Sequence, residues 1–178
     1  MSDIHSEKSA ADEKDATARK APVPEGFTLS LALVDAVPVL LFGAAAVVFG
    51  SRVESPVFVA GAVLALLGGA GKVCWKLVIA LAKQNLAWLG KQMRITMPVG
   101  FALMLVGCAL RWSAVATFAP TLLRLPSAAL LVAWVACMVA MGWFAGHLEQ
   151  TDVRSNWVEQ LTNACGQACL LAALLLAA

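Results

Sequence analysis

The sequence predicts an all-α fold: a polytopic integral membrane protein, built as a five-helix transmembrane bundle with its N-terminus in the cytoplasm. Three observations predict it. First, 61% of the 178 residues are hydrophobic and only 13% are charged, with a mean hydropathy of +0.81. Soluble domains lie nearer about 45–50% apolar and about 25% charged. Second, the apolar residues gather into five runs, each long enough to cross about 30 Å of hydrocarbon at about 1.5 Å per residue. Third, the basic residues sit mostly on one side of those runs.

The elements follow in order. Residues 1–26 are polar, charged and poor in large apolar side chains. They cannot bury enough surface to fold, and read as a disordered cytoplasmic tail. They do not resemble a signal peptide, in which an apolar run follows a short basic start at once. The transmembrane domain is expected over 27–178, with spans at about 27–50, 56–82, 95–118, 126–146 and 157–178. Asp35 and Pro38 interrupt the first span, and Pro56 opens the second at a favourable first-turn position. Arg111 lies towards the end of the third, and a proline-bounded loop, 119–125, leads to the fourth. A polar loop, 147–156, precedes the fifth. Long runs without strict alternation exclude a β-barrel, and a helix satisfies its own backbone in lipid.

With the N-terminus inside, ten of the 13 Lys and Arg residues fall on the inner side; only Arg52, Arg111 and Arg124 fall outside. That asymmetry predicts a multi-pass protein of a bacterial-type plasma membrane, with its C-terminus outside. Trp75, Trp88, Trp112, Trp143 and Trp157 lie near span ends, as an interfacial belt requires; Trp134 lies well inside the fourth span.

Several chemistries are excluded. The small net charge of +2 favours no nucleic-acid role. The five cysteines lack CxxC spacing and all lie in apolar stretches, which argues against a disulfide or zinc framework. Gly68-Gly69-Ala70-Gly71-Lys72 is not a phosphate loop: Leu66 stands where the first glycine is needed, and Val73 follows the lysine. These small residues are expected to let another helix approach. With His5 and His147 the only histidines, no bis-His haem fits within one chain. His147, Glu149 and Asp152 lack a fourth ligand, so no metal and no cofactor is expected. A membrane enzyme acting on anionic lipid would need a nucleophile or metal site at the interface; neither appears, so that reading ranks third, behind the two given below.

One polar cluster stands out. Asp35 lies about 12 Å from the inner end of the first span and Lys72 about 15 Å from that of the second. Intramembrane charges pair or face a wet cavity, so Asp35 is expected to pair with Lys72. Asn156, Gln160, Asn163 and Gln167 follow one face of the fifth helix, flanked by Glu159. Pro38 removes a backbone donor one turn after Asp35. The expected site comprises Asp35, Lys72, Lys76, Glu159, Gln160, Asn163 and Gln167, in a cytoplasm-facing polar cavity handling a small solute or protons. The alternative is an accessory or scaffold protein whose polar groups only fix helix packing. A further alternative ends the second span near Gly71 rather than Ala82. Lys72, Lys76, Lys83 and Arg94 would then form a surface stripe binding anionic lipid of the inner leaflet. Besides the bilayer itself, a homodimer or partner membrane subunit is expected, because five spans are few for a complete transporter.

Overall fold

The computed structural model describes residues 28–148 and 152–177. The expectation of a disordered tail over 1–26 lies outside them. The described residues form six helices. They are α1 (Leu29–Val53), α2 (Pro56–Ala82), α3 (Ala87–Leu110), α4 (Trp112–Leu122), α5 (Ser127–His147) and α6 (Val153–Ala177). All except α4 are long and apolar enough to cross a membrane.

Local chemistry sets the ends. The Thr28 hydroxyl accepts the Leu31 N–H at 3.3 Å to start α1. The Ser55 hydroxyl does the same for Phe58 at 3.3 Å, with Pro56 in the first turn of α2. Glu54 (φ 49°) and Lys83 (φ 54°) adopt the left-handed conformation that closes α1 and α2. Asp152 caps α6, accepting the backbone N–H and the hydroxyl of Ser155, both at 2.8 Å.

The helix at the expected second span covers Pro56–Ala82. It does not stop at Gly71, so Lys72 and Lys76 lie inside α2, and residues 83–86 separate them from Arg94 in α3. The expected third span, 95–118, is two elements instead. Its helix starts earlier, at Ala87, and ends at Leu110; α4 then occupies much of the expected loop. Arg111 makes the break. Its Nε donates to the Val53 carbonyl at 3.2 Å, tying the end of α3 to the turn between α1 and α2.

The long helices pack as a row, α3 on α2, α2 on α1, α1 on α6 and α6 on α5, with α4 against the end where α1 finishes. We call that the distal end, and the end where α1 begins the proximal end. The α2–α3 seam is the tightest. A Cβ on Gly61 would meet the Gly100 carbonyl oxygen at 2.5 Å, and one on Gly107 would meet the backbone of Phe58. Gly68 and Gly71 likewise face Thr96 and Gln92 of α3, while Gly69 faces Val39 of α1 at 3.0 Å. The glycine-rich segment therefore serves close helix approach, as its composition suggested. Buried side chains concentrate on α1 and its two neighbours, whereas in α5 only Ser127 is buried.

Candidate functional site

α1 carries the site because it lies between α2 and α6. Asp35, on α1, is 3% exposed, and Lys76, on α2, is 2% exposed. Lys76 Nζ stands 3.1 Å from Asp35 Oδ1. The expected pairing of Asp35 with Lys72 is thus corrected: its partner is Lys76, one turn away. Counted from the observed ends, Asp35 is six residues into α1 and Lys76 six residues from the end of α2, each about 9 Å deep. Lys72 is a further turn inwards and half-buried, within electrostatic range of the Lys76 ammonium.

α6 adds amides from the other side. Gln160 (2% exposed) and Asn156 (6%) are buried. Asn156 Nδ2 also donates to the Asp152 carbonyl at 3.0 Å. Glu159 is half-buried and within electrostatic range of Lys76. Asn163 and Gln167 are half-buried on the same stripe. Of the seven expected site residues, the structure joins Asp35 to Lys76 directly and brings Lys72 and Glu159 near them.

The cluster is charged, enclosed and incompletely bonded. Asp35 Oδ2 and Gln167 Oε1 are buried with no hydrogen-bond partner among the described residues. Buried polar atoms are normally bonded, so each such atom calls for an explanation. One turn beyond Asp35, Pro38 has no N–H to offer the Val34 carbonyl.

Two further features escaped sequence reasoning. At the distal end, Arg52, Glu54, Arg111, Ser113, Thr117 and Thr121 border an open pocket of about 580 Å³. Arg111 Nη2 lies 3.6 Å from Glu54 Oε2, and the Arg52 guanidinium lies 5.9 Å from the Phe118 ring centre. The only sequence signal was the pair of arginines flanking span ends. The second feature is an apolar cavity of about 340 Å³ in the distal half, lined from all six helices. No linear pattern reports it.

Among the described residues, no three His, Cys, Asp or Glu side chains are arranged to hold a metal ion. Glu149 lies outside the described residues; His147 stacks on Trp143 with ring centres 4.5 Å apart. No family model, curated protein or solved structure matches the chain.

Proposed function

We propose that the chain is a multi-pass membrane protein with its proximal end in the cytoplasm of a bacterial-type cell, and that the Asp35–Lys76 pair with the α6 amides is a site for a small solute or for protons. The observation that carries this reading is the buried pair with Asp35 Oδ2 left unbonded. A carboxylate that keeps a free acceptor at such depth is poised to take a proton or a hydrogen-bond donor. Lys83, Lys91 and Arg94, exposed at the proximal end, support the orientation and give contact with anionic headgroups. A homodimer or a partner subunit belongs to this reading, since alternating access from five spans needs a second unit.

A second reading has its own support. The paired side chains are 2% and 4% exposed, which suits a lock that only fixes packing. The two readings differ in wetness. In protein reconstituted with its natural cysteines replaced, Asn163→Cys reports on the stripe. Labelling by a membrane-impermeant thiol reagent from the proximal side is expected for a transport site; full protection supports the lock. In vesicles with an imposed pH gradient, wild type is expected to pass protons at a rate that Asp35→Asn lowers at least tenfold. Equal rates would leave the packing role standing.

A further inference from the structure

The open pocket at the distal end holds charges of both signs that the Asp35–Lys76 site does not use. It measures about 580 Å³, within the usual range for ligand pockets of about 300–1,000 Å³. The last turn of α1 brings Arg52 to it, and the turn that follows brings Glu54. The break between α3 and α4 brings Arg111, and α4 brings Ser113, Thr117 and Thr121. Ala114 and Phe118 supply apolar wall. The pocket lies where α1 and α3 end, and Trp112, next to Arg111, is exposed there. In a membrane-spanning chain that is the level of the lipid headgroups, where tryptophan gathers.

Each charge is held in place by something other than its opposite. Arg111 Nε donates to the Val53 carbonyl at 3.2 Å. The Arg52 guanidinium lies 5.9 Å from the Phe118 ring centre, within cation–π range. Glu54 closes α1 at φ 49°, a left-handed conformation that costs a glutamate more than a glycine and that recurs at ligand clamps. Arg111 Nη2 and Glu54 Oε2 are 3.6 Å apart, too far for a hydrogen bond, and their side chains are 48% and 74% exposed. A guanidinium also carries more N–H donors than one partner uses. The α4 hydroxyls complement these donors. Thr117 and Thr121 give their hydrogens to the Ser113 and Phe118 carbonyls, at 2.9 and 2.7 Å. Their oxygens keep lone pairs, so this face of α4 offers acceptors.

The pocket therefore sets two guanidinium groups beside one carboxylate and a row of hydroxyl acceptors. A plain anion would meet the arginines and be repelled by Glu54; a plain cation would meet the reverse. A zwitterion uses both. We infer that this pocket binds a phosphoethanolamine group, its phosphate on Arg52 and Arg111 and its primary ammonium on Glu54 and the threonine oxygens. Arginine suits phosphate because its planar fork donates parallel hydrogen bonds. A primary ammonium donates in several directions, whereas the quaternary ammonium of a choline group has no N–H to give. The same group is carried by a membrane phospholipid and by a free phosphodiester. The site lies at the other end of the bundle from Asp35 and Lys76 and stands whether or not that pair handles protons. Only the lipid source rests on the helices crossing a bilayer.

The test uses the full chain in dodecyl maltoside micelles with equimolar phosphatidylethanolamine, phosphatidylcholine and phosphatidylglycerol, and native mass spectrometry counts the lipids retained. Wild type is expected to retain one phosphatidylethanolamine at least fivefold in preference to either other lipid. Glu54→Gln keeps the shape of an exposed side chain and is expected to fold as wild type does. It should abolish that preference and move it towards phosphatidylglycerol, the plain anion. Arg52→Gln should lower retention of phosphatidylethanolamine at least fivefold. Spectra with glycerophosphoethanolamine in place of lipid separate the two sources. Binding of the lipid alone marks a membrane occupant; binding of the free phosphodiester, lost in the same two variants, marks a soluble one. Equal retention of the three lipids together with no binding of the phosphodiester would overturn the proposal. So would a wild-type preference for phosphatidylglycerol, or a preference left unchanged in Glu54→Gln. If Arg52→Gln does not fold, Glu54→Gln carries the decision.

Discussion

Two carboxylate–cation pairs among the described residues share one chemistry in opposite surroundings. Asp35 and Lys76 meet at 3.1 Å with side chains 4% and 2% exposed. Glu54 and Arg111 meet at 3.6 Å with side chains 74% and 48% exposed. The first pair joins two helices through buried side chains; the second bridges a turn in the open. Charge alone therefore says little about what a residue does here. The exposed pair is one of several ways to hold its turn, since Arg111 also bonds the Val53 carbonyl. The buried pair cannot lose one member without stranding the other.

The largest expected effect breaks the buried pair. Lys76→Met leaves the Asp35 carboxylate buried without its counter-charge and is expected to destabilise by about 3–5 kcal/mol. The double variant Asp35→Asn/Lys76→Met should recover most of that loss. A coupling above about 1 kcal/mol in reversible unfolding from mixed micelles is the signature of direct contact. The same cycle run with Lys72→Met is expected to give coupling near zero, and a large value there would reverse the assignment of the partner. Next in size is Gly107→Ala, which drives a methyl group into the Phe58 backbone and is expected to cost about 1–3 kcal/mol. Glu54→Gln should cost less than about 1 kcal/mol, and about 1 M salt should erase even that. An effect as large as that of Lys76→Met would abolish the contrast between the two pairs.

The smallest effect lies at the start of α6. The Ser155 backbone N–H and hydroxyl hold the Asp152 carboxyl below its ordinary range. A depressed carboxyl contributes stability that is present above its unfolded-state pKa and is lost as pH falls through the lower folded-state value. The protection factors of amides in the first turn of α6, taken relative to the intrinsic exchange rate at each pH, should therefore fall in acid in wild type. In Asp152→Asn, which keeps an acceptor but does not titrate, they should not.

Much of the fold was legible because apolar length is a one-dimensional property. Pro56 marked the start of α2, whereas the choice between Gly71 and Ala82 for its end needed the structure. Arg111 defeated the same reasoning. An apolar window passes over a single arginine, yet this one bonds a carbonyl 58 positions away and divides the run into α3 and α4. The candidate site was half legible. Asp35 and the amide face of α6 could be read directly. The choice between Lys72 and Lys76 could not, because both lie on neighbouring turns of one helix and the expected end of the first span was two residues off. Counting from the observed helix ends, Leu29 and Ala82, resolves it. The distal cavity, assembled from six separate segments, has no counterpart in linear order.

The glycines carry a last consequence, for how this sequence is free to drift. Gly61, Gly100 and Gly107 meet a neighbouring helix at the backbone, while Gly142 and Gly146 on α5 have nothing within 4 Å of an added Cβ. A library covering every substitution would divide these five identical letters in two. The α2–α3 positions would admit almost no replacement, whereas the α5 pair would accept alanine, serine and larger apolar residues as long as α5 keeps its present surroundings. Loss of tolerance at Gly142 and Gly146 in cells, but not in the isolated chain, would reveal a neighbour that α5 meets only there.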